Sequence, residues 1–161
     1  MSENVVLLDT SILCEILAVP KLSSNARGFQ NQLKDKIKAG DTLLLPMTSI
    51  LETGNHIGQC SMQGQARRKA ATAFVKFVTE ALKGDLPFRP TPFFQAKELA
   101  TWLVEFPDWA MRSDAKGKGS GLGDLTIQKE WMRQCDLNPG RRVYIWSLDQ
   151  QLHRFDRLPT M

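Results

Sequence analysis

Residues 5–11 read VVLLDTS, and this stretch decides the fold class. Val5–Leu8 is a continuous apolar run that contains β-branched residues, which is typical of a strand buried on both faces of a parallel sheet. Asp9 follows at the carboxyl end of this strand, where open parallel sheets bind their ligands. The stretch therefore predicts a buried strand and places an acid where chemistry usually occurs.

Strand and helix patterns alternate along the rest of the chain. Two further strands are predicted, at Thr42–Leu45 before Pro46 and at Val143–Leu148 before Asp149. This alternation favours a three-layer α/β/α sandwich around a mainly parallel sheet. A helix is predicted over Leu22–Ile37 with Ser23 or Ser24 as N-cap, and another is capped by Thr48 or Ser49 and ends near Gly58. Asp85–Pro92 is predicted to be a connection that holds at most one short strand. The other predicted helices cover Gln65–Lys83, Gln95–Glu105 and Asp124–Cys135.

Bulk composition indicates an ordinary globular protein. The 161 residues suit a single domain over residues 1–161, and 42% hydrophobic with 24% charged residues excludes a disordered or fibrous chain. The formal net charge of +4 gives modest support for an anionic partner. No apolar run is long enough to cross a bilayer, and Met1–Asn4 lacks a basic leader, so we expect a cytoplasmic location and no membrane partner.

The three cysteines and two histidines argue against zinc chemistry. Cys14, Cys60 and Cys135 are widely spaced, without the paired spacing of a metal site, and are expected to be reduced and mostly buried. His56 and His153 cannot complete a zinc site without other residues.

Pro107–Gly123 is rich in glycine, proline and basic residues and is predicted to be a mobile loop. Trp109 in this loop is a candidate for stacking on bases, whereas Trp131 and Trp146 lie in apolar segments and are expected in the core. Basic side chains that could contact phosphates are Arg67, Arg68, Arg112, Lys116, Lys118, Arg141 and Arg142, although a solvated surface is the more common explanation of any one of them.

Four acids have positions that could converge on one site. Asp9 and Asp149 follow strands, while Glu52 and Asp124 lie near the starts of helices. Their separations exclude a local loop site such as a calcium-binding hand. Clustered carboxylates repel each other unless a cation lies between them, and hard ions such as Mg²⁺ or Mn²⁺ prefer oxygen ligands. A metal held there could activate water and stabilise the leaving oxygen of a phosphodiester.

Three of these acids also have a structural explanation. Glu52 stands three residues after Ser49, which is the spacing of a capping box. Asp124 could complement a helix dipole, and Asp149 could cap a short helix over Gln150–Arg154. Asp9 is the hardest to explain in this way.

Four segments together resemble the motifs of PIN-domain ribonucleases, in the family's order and over residues 5 to 155. Val5–Ser11, continued by Ile12 and Leu13, is similar to the opening strand, aspartate and helix of that family. The other three segments are Pro46–Glu52, Gly121–Ile127 and Tyr144–Asp149. The resemblance implies a PIN-like fold and an Mg²⁺- or Mn²⁺-dependent ribonuclease. It further implies that Asp9, Glu52, Asp124 and Asp149 bind the metal, and that Ser11 and Ser147 position water or phosphate.

The same resemblance implies partners. RNA is the expected substrate, and small members of the family are commonly toxins held inactive by an antitoxin protein; a homodimer is also expected. The alternative is an inactive PIN-like module that serves as an RNA- or protein-interaction platform. A phosphotransferase of the haloacid-dehalogenase type needs a second Asp two positions after the first, where this chain has Ser11. A receiver-type phosphoacceptor is disfavoured because no acidic pair ends the first strand.

Overall fold

A five-stranded sheet lies at the centre of the molecule. The computed structural model describes residues 3–113 and 116–161; Met1 and Ser2, together with Asp114 and Ala115 of the predicted basic loop, lie outside the described residues. The strand order is β3-β2-β1-β4-β5, with four parallel strands and an antiparallel β5 at one edge. The strands are β1 (Val5–Leu8), β2 (Thr42–Leu45), β3 (Phe88–Pro90), β4 (Val143–Trp146) and β5 (Asp156–Arg157).

Helices connect the parallel strands, as the sequence predicted. They are α1 (Thr10–Ile16), α2 (Ala26–Lys38), α3 (Met47–Gln59), α4 (Gly64–Lys83), α5 (Ala96–Leu103), α6 (Phe106–Ala110) and α7 (Leu122–Leu137), and a short 3-10 helix covers Gln150–Leu152. Gly84 ends α4 in the left-handed conformation that glycine adopts readily. No helix in residues 3–113 or 116–161 has both the length and the apolar character that crossing a membrane requires.

Alternate residues of β1 point to opposite faces of the sheet, and each face has its own core. Val5 and Leu7 pack in a cluster with residues of α6 and α7. Val6 and Leu8 pack in a second cluster with residues of α1, α2 and α4. The chain is therefore an α/β protein with helices on both faces of a mainly parallel sheet, which confirms the predicted fold class.

Two predicted helix caps are wrong. The cap of α2 is Asn25, whose side chain accepts a hydrogen bond from the Gly28 amide. Ser24 cannot serve as the cap because its amide and hydroxyl both donate to the buried Glu15 carboxylate. Helix α3 begins at Met47, immediately after β2 and Pro46, so Thr48 and Ser49 lie inside its first turn instead of preceding it.

The predicted loop over Pro107–Gly123 is partly helical. Helix α6 covers Phe106–Ala110 with proline at its start, a position that proline tolerates, and α7 begins before Gly123. Trp109 is buried and stacks on Phe155, with ring centroids 6.2 Å apart, so its prediction as an exposed platform for bases is wrong. Trp131 and Trp146 pack in the two cores, as predicted.

The cysteines have the reduced state that their spacing predicts. Cys14 is buried, while Cys60 and Cys135 are partly exposed, and all three are free thiols. Burial and the nearby Asp9 carboxylate raise the pKa of Cys14 to about 11, so this thiol stays protonated at neutral pH.

Candidate functional site

The order of the strands creates a crevice beyond β1 and β4. From β1 the chain adds β2 and then β3 on one side, and afterwards places β4 on the other side of β1. Such a topological switch point opens a ligand crevice at the carboxyl ends of the two strands. A cleft of about 570 Å³ lies there, and its lining includes all four predicted acids, Asp9, Glu52, Asp124 and Asp149.

Asp9 is held in one orientation at the floor of this cleft. Its amide donates to the carbonyl of Trp146 at 3.0 Å, which ties the end of β1 to the end of β4. Its Oδ2 accepts hydrogen bonds from Ser147 Oγ at 2.6 Å and from Ser11 Oγ at 3.0 Å. The two hydroxyls in turn accept from the amides of Asp149 and Leu148. In the structure, Ser11 and Ser147 therefore orient the Asp9 carboxylate.

Glu52 lies in the second turn of α3, which removes the capping-box explanation of this residue. Its Oε2 accepts a hydrogen bond from Thr10 Oγ1 at 3.0 Å. Its Oε1 lies so close to Gly123 that a Cβ added there would be 1.6 Å away. Burial raises the pKa of Glu52, and the Asp9 charge raises it further. Glycine at position 123 thus makes room for the carboxylate beside α7.

Asp124 lies in the first turn of α7, as predicted. Burial, followed by the charges of Asp9, Asp149 and Glu52 in that order, raises its pKa from 3.8 to about 7. Although its position also complements the helix dipole, the net shift of the pKa is upward. The charged form of Asp124 is therefore destabilised in the folded chain, and the other three acids are within range to contribute.

Asp149 caps a short helix and also faces the cleft. Its Oδ1 accepts a hydrogen bond from the amide of Gln151 at 2.9 Å, which caps the 3-10 helix over Gln150–Leu152. The predicted capping interaction is thus present, over a shorter helix. Asp149 also lines the cleft, two residues after Ser147.

The four carboxylates have the chemistry of a site for a hard divalent cation. All their donor atoms are oxygens, and adjacent hydroxyls orient Asp9 and Glu52. Across residues 3–113 and 116–161, no three His, Cys, Asp or Glu side chains form a ready-made metal cage. Mg²⁺ does not require one, because it usually keeps several waters and binds one or two carboxylates directly. The oxygen donors present are therefore of the type that Mg²⁺ and Mn²⁺ prefer.

One predicted phosphate contact, Lys118, lines the cleft together with His56. Lys116 is exposed two residues earlier in the chain. The other predicted basic residues do not line the cleft. Arg67 donates to the Cys60 carbonyl, Arg68 is exposed on α4, and Arg112 stacks on Trp109. Arg141 donates to the Asn4 carbonyl and to Thr42, and Arg142 pairs with Asp156, all near the end of the sheet where the parallel strands begin.

Sequence reasoning did not single out Thr10, His56 and Gln151, which line this cleft, or Gly123, which lies against the Glu52 carboxylate. Two of them carry a signal in the sequence. His56 follows Glu52 by one helical turn, so the two share a face of α3. Gly123 stands inside the first turn of a helix, where glycine is unfavourable unless another group approaches closely.

No family model matches the chain, and no curated protein matches it significantly.

Proposed function

We propose that this chain is a metal-dependent ribonuclease that hydrolyses phosphodiester bonds of RNA. The observation that carries the proposal is the convergence of Asp9, Glu52, Asp124 and Asp149 on one cleft from four distant segments of the chain. The raised pKa of Asp124, to which the other three acids contribute, supports their mutual proximity. Grouping of like charges at this cost in stability is typical of functional sites.

The residues of the cleft supply binding and orientation. Asp9, Glu52, Asp124 and Asp149 would hold Mg²⁺ or Mn²⁺, which supplies a Lewis acid that lowers the pKa of water and stabilises charge on the leaving oxygen. Ser11 and Ser147 fix the rotamer of Asp9, while Thr10 fixes that of Glu52. Fixed carboxylates reduce the reorganisation that the site undergoes when a phosphate enters.

A cation on the rim favours a polyanionic substrate. Lys118 extends from the basic loop into the lining of the cleft, where it is suited to contact a phosphate oxygen. The net charge of +4 acts in the same direction over a longer range. RNA as opposed to DNA follows from the resemblance to PIN-domain ribonucleases and not from the lining of the cleft.

The deciding experiment compares RNA cleavage by the wild-type chain and by Asp9→Asn. We expect cleavage with Mg²⁺ or Mn²⁺, none with EDTA, and none by Asp9→Asn purified in parallel. A circular dichroism spectrum identical to the wild type checks that the variant folds. Cleavage at equal rates by both proteins would exclude the proposal, and binding of RNA without cleavage would favour the interaction platform. A DNA strand of the same sequence tests the preference for RNA.

The resemblance also motivates a proposal about partners. If the nuclease is a toxin, a small DNA-binding protein encoded next to it would act as the antitoxin. Co-expression of that neighbour should restore growth that the nuclease alone inhibits. Sedimentation of the purified chain tests the homodimer independently of either result.

A further inference from the structure

Two arginines, Arg112 and Arg154, stack on the same buried tryptophan. Their guanidinium carbons lie 4.5 Å and 5.9 Å from the centroid of the Trp109 ring. Arg154 also lies over Phe155, at 4.9 Å. Trp109 and Phe155 are themselves buried and stacked, so they offer a rigid base for both guanidinium groups. Two exposed cations from distant segments are thereby held beside each other.

Stacking leaves the N–H groups of a guanidinium available for other partners. The aromatic contact uses the face of the group, whereas its five donors lie in the plane. Within the described ranges, neither Arg112 nor Arg154 forms an ion pair with a carboxylate. By contrast, Arg142 has Asp156 as a partner. The pair is thus positioned and still able to bind an anion.

Among residues 3–113 and 116–161, the lining of the surface beside the pair is neutral or positive. A depression of about 410 Å³ is lined by Arg112, Ser113, Gln150, Gln151 and Arg154. The oxygen of the Gln151 side-chain amide accepts a short hydrogen bond from Ser120 Oγ, which leaves the amide nitrogen as a donor. A group rich in acceptor oxygens would find donors around this depression.

The depression adjoins the acidic cleft at Gln151. Gln151 lines both, and its backbone amide binds Asp149, one of the four acids. On the other side of the arginines a separate recess contains Glu105 and Asp108, whose charges disfavour a phosphate there. An anion bound by the two arginines would therefore lie on the side nearer the carboxylates.

We infer that Arg112 and Arg154 form a subsite for a backbone phosphate of single-stranded RNA, one or more nucleotides away from the bond that is cleaved. This inference rests on the proposed function. A strand that crosses the acidic cleft would pass Gln151 and continue to the arginine pair. The subsite would fix the register of the strand, since charge-assisted bidentate contacts to phosphate are directional.

The test measures binding and cleavage separately. Binding of a fluorescent, unstructured RNA of about 12 nucleotides is followed by anisotropy in EDTA, so that cleavage does not interfere. The double variant Arg112→Gln, Arg154→Gln is compared with Lys69→Gln, Lys76→Gln, which removes the same charge from exposed positions on α4. We expect about a tenfold or larger loss of affinity for the first and less than about twofold for the second. The salt dependence, as log K against log salt, should become shallower by about 0.7 for the loss of one phosphate contact.

The cleavage assay with Mg²⁺ completes the test. The arginine variant should raise KM and leave kcat unchanged, because the subsite lies outside the reacting groups. Equal losses in the two double variants, or an unchanged KM in an active enzyme, would overturn the subsite while the nuclease proposal stands. Arginine-dependent binding of RNA by a chain that never cleaves would overturn the nuclease proposal instead. Failure of the wild type to bind RNA would overturn the subsite.

Discussion

The amino-terminal edge of the sheet, where the parallel strands begin, carries a bidentate ion pair between Arg142 and Asp156. At the carboxyl-terminal edge, where these strands end, Asp124 lies near three other carboxylates. The pairing lowers the pKa of Asp156, while burial and like charges raise the pKa of Asp124. Arg141 adds to the first edge by donating to the Glu3 and Asn4 carbonyls and to Thr42 Oγ1. One sheet thus has an edge where charges are matched and an edge where like charges accumulate.

The difference separates stability from function. Hydrogen bonds of Arg141 hold the starts of β1, β2 and β4 together, and the Arg142–Asp156 pair joins β4 to β5, so the loss of these contacts should lower the free energy of unfolding. Repulsion between crowded carboxylates lowers stability unless a cation neutralises them, so their presence in one cleft suggests a role in binding or catalysis. Removing a carboxylate should therefore raise the free energy of unfolding at the carboxyl-terminal edge and lower it at the amino-terminal edge.

The largest effect is expected from Asp124→Asn. Loss of a ligand carboxylate should reduce RNA cleavage at least about 100-fold, as removal of an electrostatic group from an active site commonly does. The same change removes a buried charge, so at pH 8 in EDTA the free energy of unfolding should rise by about 1–2 kcal/mol, a value discounted for partial exposure. Urea titration and a cleavage assay measure the two quantities. If Asp124→Asn were both less active and less stable than the wild type, the Asp124 carboxylate would not lower the stability of the folded chain, and the proposed difference between the two edges would be wrong.

The pH dependence of stability provides the next test. Because the pKa of Asp124 is raised to about 7 in the folded chain, from 3.8, its contribution is most favourable below pH 4. In EDTA this contribution should be lost as the pH rises through about 7, and unfolding should become easier. Mg²⁺ should restore stability at pH 8 by neutralising the carboxylates. Asp124→Asn should show neither the loss of stability with rising pH nor most of the stabilisation by Mg²⁺. Thermal unfolding measured at a series of pH values, with and without Mg²⁺, checks this.

Periodicity was sufficient to predict β1, β2 and β4, and the two acids that follow β1 and β4, whereas β5 was not predicted. Val5–Leu8 and Thr42–Leu45 are strands with the predicted bounds, since a buried strand in a parallel sheet is uniformly apolar. The alternation of strands and helices then brought Asp9 and Asp149 to one crevice. These predictions depend only on patterns local to each segment.

Features that depend on contacts between distant segments could not be predicted in the same way. The cap of α2 was missed because Glu15, from the preceding helix, binds Ser24. Trp109 was assigned to a loop, although its burial depends on Phe155 near the other end of the chain. Arg154 was not predicted to be functional for the same reason. Only its stacking on Trp109 brings it near Arg112, which stacks on the same ring.

A smaller effect on activity is expected from Gly123→Ala. The added methyl group would overlap Glu52 Oε1, so the carboxylate must rotate away from the cleft. Cleavage should fall about 10- to 100-fold, the range seen when groups that orient a ligand are disturbed. The fold should remain intact, because alanine favours a helix by about 1 kcal/mol over glycine.

Gly58→Ala on α3 is the matched control for this substitution. Nothing lies within 4 Å of a Cβ added at Gly58, so it should give the gain in helix stability without any loss of cleavage. Equal activity of Gly123→Ala and wild type would show that the position of Glu52 is not critical. The rate of RNA cleavage under saturating Mg²⁺ distinguishes the two results.

The smallest effect is expected at the paired edge, from Asp156→Asn. The ion pair with Arg142 is partly exposed, so its loss should lower the free energy of unfolding by no more than about 1 kcal/mol. The pKa of Asp156 is lowered in the folded chain, so its contribution should be present at neutral pH and disappear as the pH falls below about 4. Urea titrations should therefore show a smaller difference between variant and wild type at pH 3 than at pH 7. RNA cleavage should be unchanged, and a marked loss of cleavage would mean that the two edges are not independent.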